Sequence, residues 1–600
     1  PHLPAIVNGI PSCFQQNKAK WRKKLLLSSE NYGTHPMPYF TMNFMKITKK
    51  IWLLRICTVL YTAIFCIGCI AKGGVLQDVY ASSANTVLVK KTKADKNVIP
   101  DKYNTGAKGN LKKVKLGAVV GGIQFTAASG NTKNSLDFYY NNKQVKGKII
   151  FKDYDFSKYP VVCYNSQKVE QKINVTFINC KFSYFATDRA CTNVSYEFQK
   201  CTFKNFGGSN ASFDRCKFGG SYNDGLNPFQ KINVKNSFFC DLGSVKSDKV
   251  IHSDGTQIYG WKGIMAKDIL YKNCRFEIPQ IAPKGSKAGV NACIMLQLEY
   301  SGAESIKFED CILNGGGYSI YAHSISKKYP LKNIEFKNIQ VGGAKTYGSI
   351  YPDVSSAVTF ENAKETSTLY VGSVWKEKGK VHLSVTNDSC RKRKLLVITD
   401  QGKYSYTIPA CPKGGQTDIS QTYADMPFDQ KIVIPRKCKY IICYDNTFSG
   451  AAEQIRFVNW QRKKVYLSQK ENKNLYSKKN ENITSGKCGE KIRYTLSKAG
   501  VLTLRGKGET YSYHSNKKTP WHKYSDLIKI VKVEKGITGL GNQLFKECGA
   551  IQQVSLPKEL QNIGDRTFYG AVFLKRVELQ KKTKYNKSTS FSGKTIVIRK

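Results

Sequence analysis

Short runs in which every second residue is apolar recur through the middle of this chain, as in Ile173-Asn174-Val175-Thr176-Phe177. This period of two is that of a β-strand, because successive side chains of a strand point to opposite faces. A strand of five residues buries too little apolar surface to be stable alone, whereas stacked strands share one core. The pattern therefore predicts a mainly β protein that is built by stacking.

A short phrase follows these runs: a polar or charged residue, then cysteine, then any residue, then a large apolar residue. Five copies carry the cysteine and two replace it, at Cys180, Cys201, Cys216, Cys274, Cys311, Ser237 and Ile339. Successive copies lie 15 to 37 residues apart, which is enough for one coil or for one coil with an inserted loop. Such self-similarity predicts a solenoid.

We expect the repeated cysteines to occupy equivalent positions and to form a ladder inside the core of the solenoid, since Cys is small, apolar and polarisable. A metal site is disfavoured, because the spacing lacks the close cysteine pairs of a zinc site. Disulfides between successive coils are the other alternative.

The phrase Asn179-Cys180-Lys181-Phe182 resembles the Asn-Cys-x-Phe coils of pectate-lyase-like proteins. The resemblance implies a right-handed parallel β-helix over residues 146–360, about a third of the chain, with loops such as residues 279–289 bulging from it. Lyases, hydrolases, tailspikes and adhesins all use this fold, so it implies an architecture and no single activity. We expect residues 82–145, rich in Lys, Asn and Thr, to cap the open N-terminal end of the solenoid.

From about residue 361 to 465 the phrase disappears, and strand-like runs follow at spacings typical of a β-sandwich. Four cysteines in this stretch are numerous enough for two disulfides, whose pairing the sequence leaves open: Cys390, Cys411, Cys438 and Cys443. Residues 466–484 are rich in Lys and Asn and poor in apolar residues, which predicts a linker.

Residues 485–600 repeat with a period of 23: Val531-Lys532-Val533 recurs as Val554-Ser555-Leu556 and as Val577-Glu578-Leu579, and Phe545 recurs as Phe568. The period lies in the leucine-rich-repeat range. The pattern resembles the BspA-like leucine-rich repeats of bacterial surface proteins, preceded by a capping segment. We count two full units and a short last strand over residues 595–598. In that family the repeats are associated with surface display and adhesion.

The net charge and a predicted export signal narrow the classes of molecule that the protein is expected to bind. Lys and Arg number 95 against 43 Asp and Glu, a net charge of +52, which attracts nucleic acid, anionic glycans, teichoic acids or acidic membranes. Because the lysines are scattered, a solvated basic surface is an equal alternative. Residues 45–81 combine a basic opening, an apolar run and small residues, the pattern of a secretory signal peptide, and an uncleaved membrane anchor is its alternative.

Residues 1–44 are then an upstream, unstructured extension. After cleavage we expect no stable membrane span, and a secreted or cell-surface protein. Export makes extracellular polysaccharide, or a host or cell-wall glycan, the expected partner, and we expect no nucleic acid.

The motif His252-Ser253-Asp254-Gly255-Thr256-Gln257 is the best candidate for chemistry. An imidazole exchanges a proton near neutral pH, and Asp254 is suited to orienting it or to binding a cation. The motif resembles a recurrent phrase in uncharacterised secreted β-helix proteins. The competing interpretation is structural, with Asp254-Gly255 turning the chain and His252 capping a coil.

Two enzyme classes fit these candidates. A glycoside hydrolase needs two carboxylates, and Asp254 with Glu299 is the expected catalytic pair, with Asp224 as a further option. A uronate lyase needs a base, His252 or Tyr259, and a group that neutralises the sugar carboxylate. Candidates for that group are Gln257, Gln297, Arg275 or a calcium ion. We predict no metal site of the protein's own and no cofactor, calcium apart.

The register between strands of successive coils predicts which side chains share the outer face of the sheet. We align Gln257 to Trp261 with Gln297 to Glu299 and with Ser319 to His323 on later coils, so that every second side chain points inward. The residues predicted to point inward are Ile258, Leu298 and Ile320. Those predicted to point outward are Gln257, Tyr259, Trp261, Gln297, Glu299, Tyr321 and His323.

Such an outward stripe offers aromatic faces and amides to a sugar. A loop that covers the stripe, such as residues 279–289, is the alternative. The sequence thus predicts a surface protein that binds an extracellular, anionic polysaccharide. A polysaccharide lyase or hydrolase centred on His252 and Asp254 is the second hypothesis, and whether the protein is an enzyme stays open.

Overall fold

A computed structural model describes residues 99–600, apart from gaps of one to four residues and the longer gaps 243–251, 279–288, 411–428, 435–439, 448–452, 456–465 and 468–481. The predicted extension, signal peptide and first part of the cap lie outside the described residues. Almost every described element is a strand, and two short 3-10 helices, Ser166–Lys168 and His522–Leu527, accompany them. Within this part of the chain, no helix is long and apolar enough to cross a membrane.

Three long sheets form the N-terminal solenoid, and each coil visits them in the order one, two, three. Their strands are parallel, except that the first three strands of sheet three pair antiparallel to one another. Sheet one has nine strands: Gly147–Lys152, Ile173–Ile178, Val194–Gln199, Ala211–Asp214, Gln230–Lys235, Ala266–Lys272, Ala303–Glu309, Leu331–Lys337 and Val358–Glu361. Sheet two has ten: Lys112–Lys113, Tyr154–Phe156, Lys181–Phe182, Thr202–Phe203, Lys217–Phe218, Phe238–Phe239, Arg275–Ile278, Ile312–Gly315, Gln340–Gly342 and Lys364–Glu365.

Sheet three has eleven strands: Val119–Val120, Ile123–Ala128, Lys133–Asp137, Val161–Cys163, Phe185–Thr187, Phe206–Gly208, Leu226–Pro228, Thr256–Ile258, Ala292–Gln297, Tyr318–His323 and Gly348–Ile350. A single apolar cluster fills the space between the three sheets. The predicted parallel β-helix is therefore confirmed.

The repeated phrase lies at the corner between sheet one and sheet two. Its first residue has a left-handed backbone in all seven copies, with φ between 50° and 55° in Asn179, Lys200, Arg215, Asn236, Asn273, Asp310 and Asn338. Asp153 and Asn362 take the same conformation at this corner in the first and last coils. Asn and Asp tolerate this conformation better than other side chains. They also bond from coil to coil, as where Asn273 Nδ2 donates to Asn236 Oδ1 at 2.8 Å. Backbone geometry thus explains why the phrase opens on a polar residue.

The second residue of the phrase points into the core. The five cysteines are at most 1% exposed, and each is a free thiol. Cys201 Sγ donates to the carbonyl of Phe177 on the preceding coil at 3.4 Å, and Cys180 N–H donates to Cys201 Sγ at the same distance. The predicted cysteine ladder is confirmed, and it holds thiols instead of disulfides.

Phenylalanines stack beside the cysteines along the axis of the β-helix. One stack, with ring centroids 4.2 to 5.2 Å apart, joins Phe156, Phe182, Phe203, Phe218, Phe239 and Phe276. Because each coil supplies one ring at the same position, the stack fixes the register of the coils.

The segment before the coils closes the N-terminal end and runs along sheet two. Phe125, in a hairpin at the edge of sheet three, packs on Phe151 of the first coil. Gly106 N–H donates to the carbonyl of Arg215 at 3.0 Å. Gly106 has φ +76°, and a Cβ there would lie 2.7 Å from Thr202 Oγ1, so only glycine lets the segment approach so closely. Two short strands, Tyr139–Tyr140 and Lys143–Gln144, form a further hairpin.

Two further sheets follow the β-helix and share one apolar cluster, which is the layered arrangement of a sandwich. The first has the strands Leu369–Glu377, Lys380–Asn387 and Asp429–Ile434. The second has Arg393–Thr399, Gly402–Ile408, Tyr440–Asp445, Glu453–Ile455 and Tyr466–Leu467. Cys443 is a buried free thiol, and the other three cysteines of the predicted disulfides lie outside the described residues.

The C-terminal repeats stack two narrow sheets. The first contains Asn482–Lys487, Ile492–Ser497, Val501–Gly506, Ile530–Val533 and Gln553–Ser555, and Arg576–Leu579 pairs with Ile596–Arg599 beyond it. The second contains Gly508–Glu509, Ile537–Leu540, Asn562–Ile563 and Lys584–Tyr585. Trp521, Phe545, Phe568 and Phe591 form a ladder with centroids 5.0 to 5.5 Å apart.

The predicted short last strand is present as Ile596–Arg599, which pairs in parallel with Arg576–Leu579. This strand begins 20 residues after Arg576, slightly less than the period of 23. Phe591 adds a fourth ring to the ladder.

Both later parts pack on the β-helix. Phe573 of the repeats belongs to the β-helix core, and Lys594 Nζ donates to the Val358 carbonyl at 2.5 Å. Arg391 of the sandwich forms an ion pair with Asp526 of the repeats. The repeats therefore rest on the C-terminal end of the β-helix.

Candidate functional site

His252 lies in the short strand His252–Ser253, which pairs with Gly289–Val290 beside sheet three. Its side chain lies outside what the structure describes. Its role as base or acid stays a prediction.

Asp254 has a clear structural position. It is 1% exposed, and its Oδ1 accepts the backbone N–H of Ala292 from the next coil at 2.8 Å. Its own N–H donates to Asp224 Oδ1 at 2.8 Å. Asp254 thus ties three successive coils together.

The predicted carboxylate pair is not formed. Asp254 lies beside Ala292, seven residues before Glu299 on the same coil. Glu299 is exposed beyond the end of its strand, where Gln297 Nε2 donates to its Oε1 at 3.0 Å. The alignment placed Asp254 and Glu299 together because the sequence does not give the register between coils of unequal length.

Arg275, one candidate for neutralising a sugar carboxylate, is fully buried. Its Nε donates to Glu277 Oε1 at 2.5 Å, and its Nη2 donates to Thr386 Oγ1 of the sandwich at 2.9 Å. The ring of Tyr370 lies 5.1 Å from its guanidinium carbon. Arg275 therefore fastens the sandwich to sheet two and does not reach a ligand.

The outward stripe exists, with a corrected register. Ile258 pairs with Leu296, and Ile294 with Ile320, so the alignment on Leu298 was two residues off. A shift of two leaves each side chain on its predicted face, because the side-chain period of a strand is two. The three inward residues, Ile258, Leu298 and Ile320, are 0% exposed. The seven outward residues are all at least partly exposed: Gln257, Tyr259, Trp261, Gln297, Glu299, Tyr321 and His323.

Two aromatic groups form this stripe. In the first, Tyr300 lies between Tyr259, at 6.2 Å, and Trp261, at 5.6 Å between ring centroids. The guanidinium carbon of Arg189 lies 4.2 Å from the centroid of Trp261, which is a cation–π contact. Tyr300 is 44% exposed, so the group presents open ring surface to solvent.

The second group lies one coil further on. Tyr321 and Tyr351 approach to 4.4 Å, and the His323 ring lies 5.4 Å from Tyr351. Tyr318 joins them and contacts Tyr347, which is 43% exposed. Burial raises the pKa of the Tyr318 hydroxyl, and the nearby Tyr569 and Glu547 of the repeats raise it further.

Sequence reasoning missed five members of these groups: Arg189, Tyr300, Tyr318, Tyr347 and Tyr351. Arg189 is 72 residues before Trp261, and only the stacking of coils brings them together. Tyr347 and Tyr351 lie beyond the last aligned strand. Tyr300 directly follows Glu299, and its place after an alternating strand was the one available signal.

The described residues contain no group of three or more His, Cys, Asp or Glu side chains placed to hold a metal ion.

Comparison with known proteins bears on the C-terminal part. Residues 522–598 match the family described as BspA type Leucine rich repeat region (6 copies). The C-terminal repeats are thus of the BspA type. A leucine-rich repeat protein from Eubacterium ventriosum ATCC 27560 is similar, with 26% identity over 19% of this chain and 28% of that chain, and a TM-score of 0.14. The match thus spans little more than a quarter of that protein's length. No curated protein matches the chain.

Proposed function

We propose that this is an exported bacterial surface or secreted protein that binds an extracellular polysaccharide along the outer flank of sheet three. The BspA-type repeats serve adhesion or display. The observation that carries the proposal is the pair of aromatic groups on that flank, because exposed rings with flanking amides suit sugar faces and hydroxyls.

The spacing of the flank suits a long ligand. Successive strands of a sheet lie about 4.8 Å apart, so the aromatic groups on neighbouring coils form a continuous surface along the β-helix. A polymer that lies along this axis contacts several coils, and each coil adds one stacking position.

An anionic polysaccharide fits the charges. The chain carries a net charge of +52, and Arg189 lies directly beside the Trp261 ring. A basic field of this size raises the rate of encounter with a polyanion, and this effect weakens with added salt.

The test is a binding panel of acidic and neutral polysaccharides with the full chain. Trp261→Ala should lower affinity for the bound polysaccharide by about tenfold or more, since buried tryptophans dominate binding surfaces. The matched control is Tyr511→Ala, which removes a ring that is 46% exposed on the repeats. Equal affinity of wild type and Trp261→Ala for every polysaccharide that binds contradicts the proposal.

A lyase or hydrolase is the second candidate, and one observation favours it. Burial raises the pKa of the Asp224 carboxyl to about 6, although hydrogen bonds from Asn227 and Asp254 oppose the shift. A carboxyl with such a pKa is suited to general acid catalysis. The same panel tests this candidate: ultraviolet absorbance detects the unsaturated ends from a lyase, and reducing ends detect hydrolysis. Binding without either product rejects an enzyme.

A further inference from the structure

A polar cleft opens at the corner between sheets two and three, on the N-terminal side of the aromatic stripe. Its volume is about 550 Å³, and its walls include Ser183, Tyr184, Lys204, Asn205, Asp224 and Asn227. We propose that this cleft holds one sugar unit of the bound polysaccharide, with Asp224 accepting hydrogen bonds from its hydroxyl groups. This inference rests on the proposed function and assigns a second, polar subsite to the same flank.

The cleft is continuous with the stripe. Asn227 pairs with Gly207 on sheet three, and its neighbour Leu226 pairs with Thr256, the residue before Gln257. Asn227 and Gln257 therefore face the same side of the sheet, one coil apart, or about 4.8 Å. A chain that stacks on Tyr259 and Trp261 reaches the cleft without leaving the flank.

The cleft is built around Asp224. Asn227 Nδ2 donates to Asp224 Oδ2 at 2.9 Å, and Asp254 N–H donates to Asp224 Oδ1 at 2.8 Å. Asn205 Nδ2 donates to the Asp224 carbonyl at 2.5 Å and to Asn227 Oδ1 at 3.2 Å. Each carboxylate oxygen accepts one of these bonds and has lone pairs for more, so a fixed acceptor is offered to a ligand.

Close packing of two turns holds the acceptor in place. A Cβ on Gly225 would lie 2.6 Å from the Gly255 carbonyl oxygen. Glycine at this position lets the two coils meet, which brings Asp254 N–H to the carboxyl of Asp224.

One wall atom lacks a partner. Ser183 Oγ is buried and makes no hydrogen bond within the described part of the chain. Buried hydroxyl groups are normally satisfied, so an unpaired one in the wall of a polar cleft indicates a bond that a ligand completes. Sugar hydroxyls both donate and accept and meet this need.

Size and charge decide the class of ligand. The volume falls in the range of small-molecule sites. Two amides, hydroxyl groups and the opposite charges of Lys204 and Asp224 suit a hydroxyl-rich sugar better than an apolar ligand. The titratable groups that line the cleft with Asp224 are Tyr184 and Lys204, and the Asp254 carboxylate is engaged by Ala292.

The experiment measures affinity of the full chain for the polysaccharide that binds best in the panel, from pH 5 to pH 7.5. Wild-type affinity should fall about tenfold as Asp224 is protonated, with a midpoint near its pKa of about 6. Asp224→Asn should bind weakly at every pH without this step. The matched control is Asp268→Asn, an exposed carboxylate with φ +56°, which asparagine also adopts readily.

A second variant separates binding from folding. Ser183→Ala removes an unpaired hydroxyl, so it should weaken binding while thermal stability stays the same or rises. If both Asp224→Asn and Ser183→Ala keep the wild-type affinity and pH dependence, the cleft does not bind the sugar and this inference is wrong. If Trp261→Ala still loses affinity in that case, the proposed function stands. If Trp261→Ala also keeps the wild-type affinity, the inference about the cleft and the proposed function are both wrong.

Discussion

The β-helix and the C-terminal repeats fill their cores in the same way and differ at their corners. Both stack aromatic rings along the axis, about 5 Å apart, as in Phe182 to Phe203 and Phe545 to Phe568. In the repeats, the rings follow one another at intervals of 23 or 24 residues. In the β-helix, successive strands of sheet one begin 17 to 37 residues apart.

The extra residues of the β-helix collect at particular corners. From Ile178 onward, two residues separate each strand of sheet one from the next strand of sheet two. Between sheets two and three, the connection varies from two residues after Phe182 to sixteen after Phe239. One corner is fixed by a left-handed residue and a ladder, and the other accepts insertions.

The variable corner is also where the polar chemistry gathers. Asp224 lies in the connection after Phe218, and His252 and Asp254 lie in the connection after Phe239. A uniform repeat offers no such insertions, which fits a part used for adhesion or display. A rigid ladder at one corner thus lets loop length, and with it function, vary at another.

The strongest test of this comparison removes a ring from each ladder. Phe203 and Phe568 are both 0% exposed, so Phe203→Ala and Phe568→Ala should each cost about 3–5 kcal/mol. The control is Ile150→Ala, which alters a side chain that is 50% exposed and should cost about 1 kcal/mol or less.

Labelling of buried thiols in urea measures the effect separately in the two parts. Cys201 reports on the β-helix, and Cys548 reports on the repeats. If Phe203→Ala leaves the labelling midpoint of Cys201 unchanged, the ladder does not hold the coils together.

The buried carboxyl at the polar corner lowers stability to a degree that depends on pH. The pKa of Asp224 is raised from 3.8 to about 6, so the folded state holds this proton more tightly than the unfolded state does. Stability of wild type relative to Asp224→Asn should therefore fall as pH rises from about 4 to 6, by at most about 3 kcal/mol. Denaturation of both proteins across this range checks it, and parallel pH profiles contradict it.

The smallest effect is expected at the fixed corner. Lys200 has φ +54° and occupies the left-handed position at the corner between sheets one and two. On the preceding coil this position is taken by Asn179. Lys200→Asn should stabilise the β-helix by about 0.5–1 kcal/mol, because asparagine tolerates the left-handed backbone and is able to bond the neighbouring coil. Thiol labelling of Cys201 measures it. The contrasting variant Asn273→Ala loses both advantages and should destabilise the β-helix by about 1–3 kcal/mol. If neither variant changes stability, the left-handed residues at this corner do not stabilise the coils.

Much of the fold was predictable because repetition is visible in the sequence. The apolar alternation and the cysteine phrase were enough to predict the coils. They also predicted which face of the sheet Ile258 and Tyr259 occupy, although the assumed register was two residues off. The register itself depends on loop lengths between coils, which the phrase does not specify, and so the pair Asp254 and Glu299 was wrong.

The site was less predictable, because it is assembled across coils. Arg189 meets Trp261 only through stacking, and the environment of Asp224 depends on burial and on a backbone N–H from the next coil. The burial of Arg275 against the sandwich needs two parts of the chain at once. Composition records none of these contacts.

The most direct test of the proposed binding flank is a side-chain footprint by hydroxyl radicals, with and without the polysaccharide that binds best. Tyr259, Trp261 and Tyr300 should become protected when the ligand is bound, while Tyr511 on the repeats should react as before. Protection of Tyr511 with unchanged reactivity of the three rings on sheet three would place the ligand on the repeats and contradict the account.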